Sequence, residues 1–217
     1  SETLFVDEAL LQLIKPVNSE LQTLRRTIFT SGSSETPPGM LHYETLVSNA
    51  SAVLPQVKTE DSDLAGIFYT GGTTGLAKGV MLSHLNLIIN AYHMLINLPL
   101  IKGEVYCHAA PMFHLANGGA MYGNTMHGSK HTFIKAFDPK IAMETIQSEK
   151  VTSIVLVPAM INFVINHPDI GKYDLSSLKR ITYGASPMPV ELLKRAMKVI
   201  DCDFIQGYGM TEASPLL

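Results

Sequence analysis

The sequence predicts an α/β fold built from layered sheets with flanking helices. Three observations carry that expectation. Short apolar or β-branched runs of four to seven residues alternate with helical stretches of ten or more, the pattern of a largely parallel sheet with right-handed crossovers. The run Val151–Val157 is dense in β-branched residues, as in a strand buried on both faces. Glycine-rich segments follow several of the runs, where open sheets bind their ligands.

Taken in order, Glu8–Leu13 has apolar positions at mixed spacing and reads as a short helix or irregular segment. Leu24–Phe29 reads as a strand, and the Ser-, Gly-, Thr- and Pro-rich stretch Thr30–Gly39 as a loop and the best candidate for an exposed linker. Leu46, Val47 and Ala50 predict a helix over Tyr43–Ala50. An acidic turn, Glu60–Asp63, leads into a strand at Leu64–Phe68. Ser83 is placed to cap a mostly apolar helix from Leu85 to Leu95, expected to be buried on more than one side. Val105–Ala109 and Lys130–Phe133 read as strands, with Gly118–Gly123 between them permitting close packing or a bend. Helices are expected at Pro139–Lys150, Pro158–Ile165 and Pro189–Val199, and further strands at Leu178–Tyr183 and Asp203–Gln206. No internal repeat and no clear domain boundary emerge.

Composition narrows the function classes. The 217 residues are 46% hydrophobic and only 16% charged, below the quarter or so usual in a soluble domain, so either the core is large or, the favoured expectation, part of the surface is covered. Net charge is −3 with no basic block, which argues against a nucleic-acid partner. The apolar runs are too short or interrupted to span a bilayer, which leaves peripheral membrane contact open. Cys107 and Cys202 are too few and too isolated for a disulfide scaffold or zinc site. With no basic-then-apolar leader in the sequence, the expectation is a reducing, cytoplasmic compartment.

The strongest chemical signal is Tyr69–Gly79, in which three threonines, four glycines and one lysine fall within eleven residues. Glycine lets backbone amides approach phosphate oxygens, threonine donates hydrogen bonds and lysine adds a mobile positive charge. Thr70, Gly71, Gly72, Thr73, Thr74, Gly75 and Lys78 are therefore candidate polyphosphate ligands. Lys78 stands between Ala77 and Gly79, so the registry is not that of a Walker loop, and no dinucleotide fingerprint is present. The bland alternative is a plain hairpin turn.

Three further segments follow strands. In Gln206–Glu212, Tyr208 offers a ring to a flat base, Thr211 a hydroxyl to a phosphoryl oxygen and Glu212 a hard oxygen ligand to Mg²⁺. Equally, Glu212 sits where acids favour a first helical turn. Tyr183–Pro189 supplies small residues that let a ring or chain lie along the backbone; otherwise it is a turn with Pro189 opening a helix. Pro111–His114 places His114 as a wall or gate residue, with a structural histidine as the alternative.

Together these segments resemble the adenylate-forming superfamily of acyl-CoA synthetases, luciferases and peptide-synthetase adenylation domains. Tyr69–Gly79 is similar to its phosphate-binding signature, with Gly71 where serine is frequent and Ala77 where proline is frequent. Leu82–Asn86, Pro111–His114, Gly184–Pro189 and Gln206–Glu212 are similar to its later motifs in order and approximate spacing. The resemblance implies that ATP and a carboxylic acid give an acyl-adenylate, and that coenzyme A then takes the acyl group, making this an AMP-forming acid–thiol ligase. It implies catalytic roles for Thr70, Lys78, His114, Thr211 and Glu212. Nucleotide contacts would come from the loop, from Gly184, Ala185 and Ser186, and from Gly207, Tyr208, Gly209, Met210 and Thr211; Glu212 would hold Mg²⁺.

A medium- or long-chain fatty acid is the leading substrate expectation, with an aryl or other small acid next. An amino acid ranks lower, since no anchoring aspartate is evident, and a non-catalytic nucleotide-binding module is the reading from another class. The chain is expected to be an internal part of the large N-terminal domain of such an enzyme. The ribose-binding aspartate and the mobile C-terminal domain with its lysine would lie outside it, and the piece alone would be inactive.

Overall fold

A computed structural model describes residues 2–14, 16, 20–32, 35–71, 75–99 and 101–216. The chain divides into two compact units, Ser1–Lys58 and Thr59–Leu217. The division falls after Lys58, and Thr30–Gly39 lies inside the first unit rather than linking two.

In the first unit, β1 (Thr3–Val6), β2 (Arg26–Phe29) and β3 (Leu41–His42) form a parallel three-stranded sheet in that order. Two short helices, α1 (Leu11–Ile14) and α2 (Tyr43–Asn49), accompany it. Among the described residues, Val6, Ile28 and Phe29 are the buried ones of this unit.

The second unit begins with an antiparallel pair, β4 (Leu64–Thr70) and β5 (Lys78–Ser83), joined by the glycine-rich loop. The hairpin alternative thus describes the backbone, and Lys78 opens a strand. Ser83 caps α3 (His84–Asn97) as expected: its hydroxyl accepts from Asn86 N, and Asn86 Oδ1 accepts from Ser83 N. The expectation of burial on several sides is not met. Helix α3 buries Leu87, Asn90 and Ala91, while Leu85, Ile88, Ile89, Tyr92 and Ile96 stay exposed, because it packs on α4 and β5 along one face.

A five-stranded parallel sheet follows. Its strands are β6 (Val105–His108), β7 (Lys130–Phe133), β8 (Ser153–Leu156), β9 (Arg180–Gly184) and β10 (Asp203–Gly207), in the order β10-β9-β8-β6-β7. From β6 the chain goes first to one side and then to the other, so the order reverses between β6 and β8. Helix α4 (Leu115–His127) contains the glycines of 118–123, which give close packing against their neighbours. Helices α5 (Pro139–Glu149), α6 (Pro158–Ile165) and α7 (Val190–Val199) complete the crossovers.

Strand alternation assigns the faces. Cys107, Ile154, Leu156, Ile181 and Tyr183 join Met143, Ile146, Ile161, Val164, Leu192 and Ala196 of α5–α7 in the main core. Each such aliphatic side chain contributes about 1.5–3 kcal/mol of burial. The opposite face presents Tyr106, Val155, Arg180, Thr182 and Ile205 toward α3 and α4, and there the packing leaves a cavity.

Candidate active site

The cavity has a volume of about 710 Å³ and lies along that second sheet face. At the carboxyl edge of the sheet it is bounded by three turns: Ala110–His114 after β6, Gly184–Ala185 after β9, and Gly207–Thr211 after β10. This edge, at the reversal of strand order, is where open α/β sheets take their ligands.

Backbone constraints shape the turns. Gly184 pairs with Gly207 across β9–β10, and a Cβ at Gly184 would collide with the Gly207 carbonyl oxygen. Ala185 is held at φ 64°, a left-handed conformation costly for a residue with a side chain. Past β10, Met210 N donates to Pro215 O (2.8 Å) and Gly209 bridges Leu216, folding 209–216 back on itself. Thr211 and Glu212 sit on the 3-10 turn Thr211–Ala213 inside this fold, and β5 packs against that turn.

His114 is exposed at the N-cap of α4, with Phe113 4.6 Å away ring to ring. Its turn is fixed from beneath by Asn117, which is fully buried. Asn117 Nδ2 donates to Ala110 O and lies 3.3 Å from Met112 Sδ, while its Oδ1 accepts from Tyr106 OH (3.3 Å). Asn117 Oδ1 also lies 3.1 Å from His108 Nδ1, and His108 Nε2 lies 2.9 Å from His131 Nδ1. Burial pushes the His108 imidazole down to about 4, so it is neutral at physiological pH. The Cys107 and Cys202 thiols are raised by burial to about 12 and 11, which removes them as nucleophiles.

His114, Gly184, Ala185, Gly207, Tyr208, Gly209, Met210 and Thr211 all line the cavity. Thr70 and Lys78 lie at the base of the β4–β5 hairpin instead, paired across the strands, and Gly71 and Gly75 follow and precede them in the exposed connection. Gly72, Thr73 and Thr74 fall outside the described residues. Ser186 and Glu212 are exposed beside the cavity and are not part of its wall. Among the described residues no cluster of three metal-ligating side chains occurs. Glu212 forms no ion pair among them. A lone carboxylate beside a threonine suits Mg²⁺, which keeps several waters and is completed by substrate phosphates.

Three features do not stand out in the sequence. Asn90 of α3, buried, donates to Leu216 O (2.8 Å) and Ala213 O (3.3 Å) and so holds the Thr211–Leu216 fold. Asn117 is the second. The third is a buried ion pair at the opposite edge of the sheet, where Arg180 NH2 meets Glu104 Oε1 at 2.7 Å. Ser153 Oγ donates to the same oxygen, and Arg180 NH1 donates to Pro99 O (2.5 Å).

A cavity at the strand-order reversal of a parallel sheet is the ligand-binding arrangement of open α/β domains. The chain belongs to the AMP-binding enzyme family, whose model matches residues 1–217. It is 33% identical over 232 residues to a feruloyl-CoA synthase of an Amycolatopsis species, covering 99% of this chain and 47% of that one. It is 32% identical over 187 residues to 4-coumarate–CoA ligase 1 of Solanum tuberosum, covering 83% and 34%. The crystal structure of a long-chain-fatty-acid–CoA ligase from Archaeoglobus fulgidus superposes with a TM-score of 0.87 at 29% identity, covering 100% of this chain and 44% of that one. The chain thus spans about half the length, or less, of the relatives it matches. Among the described residues no helix is long and apolar enough to cross a membrane.

Proposed function

We propose that the chain forms the acid- and nucleotide-binding part of an AMP-forming acid–CoA ligase. The observation that carries this is the continuous cavity joining the three turns at the sheet edge to a mostly apolar slot along the sheet face. An acid lying in the slot would present its carboxylate to a nucleotide held at the edge.

In the first step a carboxylate oxygen attacks the α-phosphorus of ATP. The bond to the bridging oxygen breaks and pyrophosphate leaves. In the second, the coenzyme A sulfur attacks the acyl carbon and AMP leaves with the bonding electrons. Thr70, Lys78 and the loop amides are assigned to the β- and γ-phosphates, and Thr211 to the α-phosphate. The Tyr208 ring, exposed at the cavity mouth, offers a stacking surface for adenine, with Gly184, Ala185 and Ser186 along its edge. Gly209 and Met210 continue that wall. His114 borders the acid. Glu212 would hold Mg²⁺, which when bound offsets charge on the phosphates.

For the acid, an aryl or other compact carboxylic acid moves ahead of the fatty acid favoured by sequence, because the feruloyl-CoA synthase and the 4-coumarate–CoA ligase are identical to this chain at about a third of the aligned positions. The fatty-acid reading keeps support from the apolar slot and from the Archaeoglobus structure. The ribose-binding aspartate and the adenylation lysine are assigned to a further part of the full chain. Acid-dependent ATP–pyrophosphate exchange by the full chain, across hydroxycinnamates, benzoate, octanoate, palmitate and amino acids, tests the proposal. Exchange with an aryl or fatty acid is the expected result; tight Mg-ATP binding with no exchange for any acid would favour a non-catalytic nucleotide module.

A further inference from the structure

A buried charged pair lines the slot at the end away from the three turns. Arg180, Thr182 and Gly184 project from one face of β9, and all three line the cavity. Gly184 is at the nucleotide end; Arg180 is at the other, together with Glu104. Four residue steps at about 3.3 Å each put the two ends roughly 13 Å apart. Between them the wall is Thr182, Val155 and Ile205 on the sheet, opposed by Ala116, Ala120 and Gly123 of α4.

We infer that the Glu104–Arg180 pair is a ruler that sets the longest acid the slot accepts. The inference rests on the proposed acid activation and deepens it. The pair is fixed from several sides: Glu104 accepts from Arg180 and Ser153, and Arg180 also donates to the Pro99 carbonyl. Both side chains are under 10% exposed. Moving either aside for a longer substrate would leave a buried charge unpaired, so the floor resists displacement. The pair is also neutral overall, so it does not call for a charged group on the far end of the acid.

An extended hydrocarbon chain advances about 1.25 Å per carbon–carbon bond, so roughly ten bonds fit above the floor. Decanoate and 4-hydroxycinnamate meet that limit; extended palmitate, about 19 Å from end to end, exceeds it. The class of acid is therefore compact or medium-length, with the ion pair as its specificity determinant.

The test is ATP–pyrophosphate exchange by the full chain with octanoate, decanoate, palmitate and 4-hydroxycinnamate. Wild-type kcat/KM for decanoate or 4-hydroxycinnamate is expected to exceed that for palmitate at least about tenfold. In the Glu104→Leu/Arg180→Leu double variant, the palmitate-to-decanoate ratio should rise about tenfold with KM for ATP unchanged. Exchange by the wild type that peaks at palmitate overturns the ruler while leaving acid activation standing. A soluble double variant with an unaltered length profile does the same. If the double variant does not fold, the wild-type profile alone decides. No exchange with any acid overturns the proposed activation itself, and the ruler with it.

Discussion

Asn90 and Leu216 lie 126 residues apart in sequence, yet the Asn90 amide donates to the Leu216 carbonyl at 2.8 Å and its oxygen accepts from Leu216 N at 3.4 Å. A side chain on α3 therefore supplies the backbone partners that the Thr211–Leu216 segment lacks in a sheet or helix. In Asn90→Ala those part-buried groups lose them, which costs about 1–3 kcal/mol. The turn bearing Thr211 and Glu212 should loosen, and a displacement near 1 Å at the reacting phosphate costs up to about 100-fold. Exchange kcat/KM with the preferred acid, measured beside chemical denaturation, checks both. A variant with full activity would show that the Asn90 contact does not position the turn.

The Gly184–Gly207 pair predicts an asymmetric result. A methyl at 184 meets the Gly207 carbonyl oxygen on the neighbouring strand, and neither backbone can yield without breaking register. Gly184→Ala is expected to cost about 1–3 kcal/mol or more in overpacking. A methyl at 207 first meets Leu216 Cδ1 at 3.4 Å, an ordinary contact. Gly207→Ala should therefore fold nearly as well as the wild type. Urea midpoints of the two variants compare them directly.

The parallel sheet is legible in the sequence because its strands are short apolar runs whose burial needs no knowledge of partners. Strand β5 is not: Lys78 and Gly79 read as loop residues, and only pairing with Tyr69 and Thr70 makes them a strand. Helix α4 is hidden because Asn117, Gly118, Gly119 and Gly123 are poor helix formers. Its glycines answer to tertiary contacts instead. A Cβ at Gly119 would lie 2.9 Å from Pro215 Cδ, and one at Gly118 would strike the Met112 carbonyl. The edge turns of the site are legible, since small residues after strands are a local signal. Asn90, Asn117 and the Glu104–Arg180 pair are not, because each acquires its role from groups remote in sequence.

His108 predicts an acid-sensitive step in stability. Its ring is packed against Tyr106 and Phe133 and contacts Asn117 and His131, and burial lowers it to about 4. The unfolded chain binds the proton near 6.5, above the folded value. Between those values the unfolded state holds more protons, so stability is fully present above pH 6.5 and falls as the pH drops toward 4. Each pH step of one between them costs about 1.4 kcal/mol, so the loss is on the order of 3 kcal/mol. Denaturation midpoints from about pH 7.5 down to about pH 4.5 should show this fall. In His108→Gln, where nothing titrates at that position, the slope should be smaller by about one proton.

The Glu104–Arg180 pair makes a further prediction about stability, separable from substrate length. Arg180→Leu leaves the Glu104 carboxylate buried with, among the described residues, only the Ser153 hydroxyl and, at 3.7 Å, His127 Nε2. Breaking one side of a buried pair in this way costs about 3–5 kcal/mol. Replacing both partners by leucine removes the stranded charge, so the double variant should recover most of that loss even though two polar contacts are gone. The coupling read from a double-mutant cycle in urea should therefore be large, with the double variant more stable than either single one. Additive losses would mean that water reaches the pair and that the floor of the slot is softer than its packing indicates.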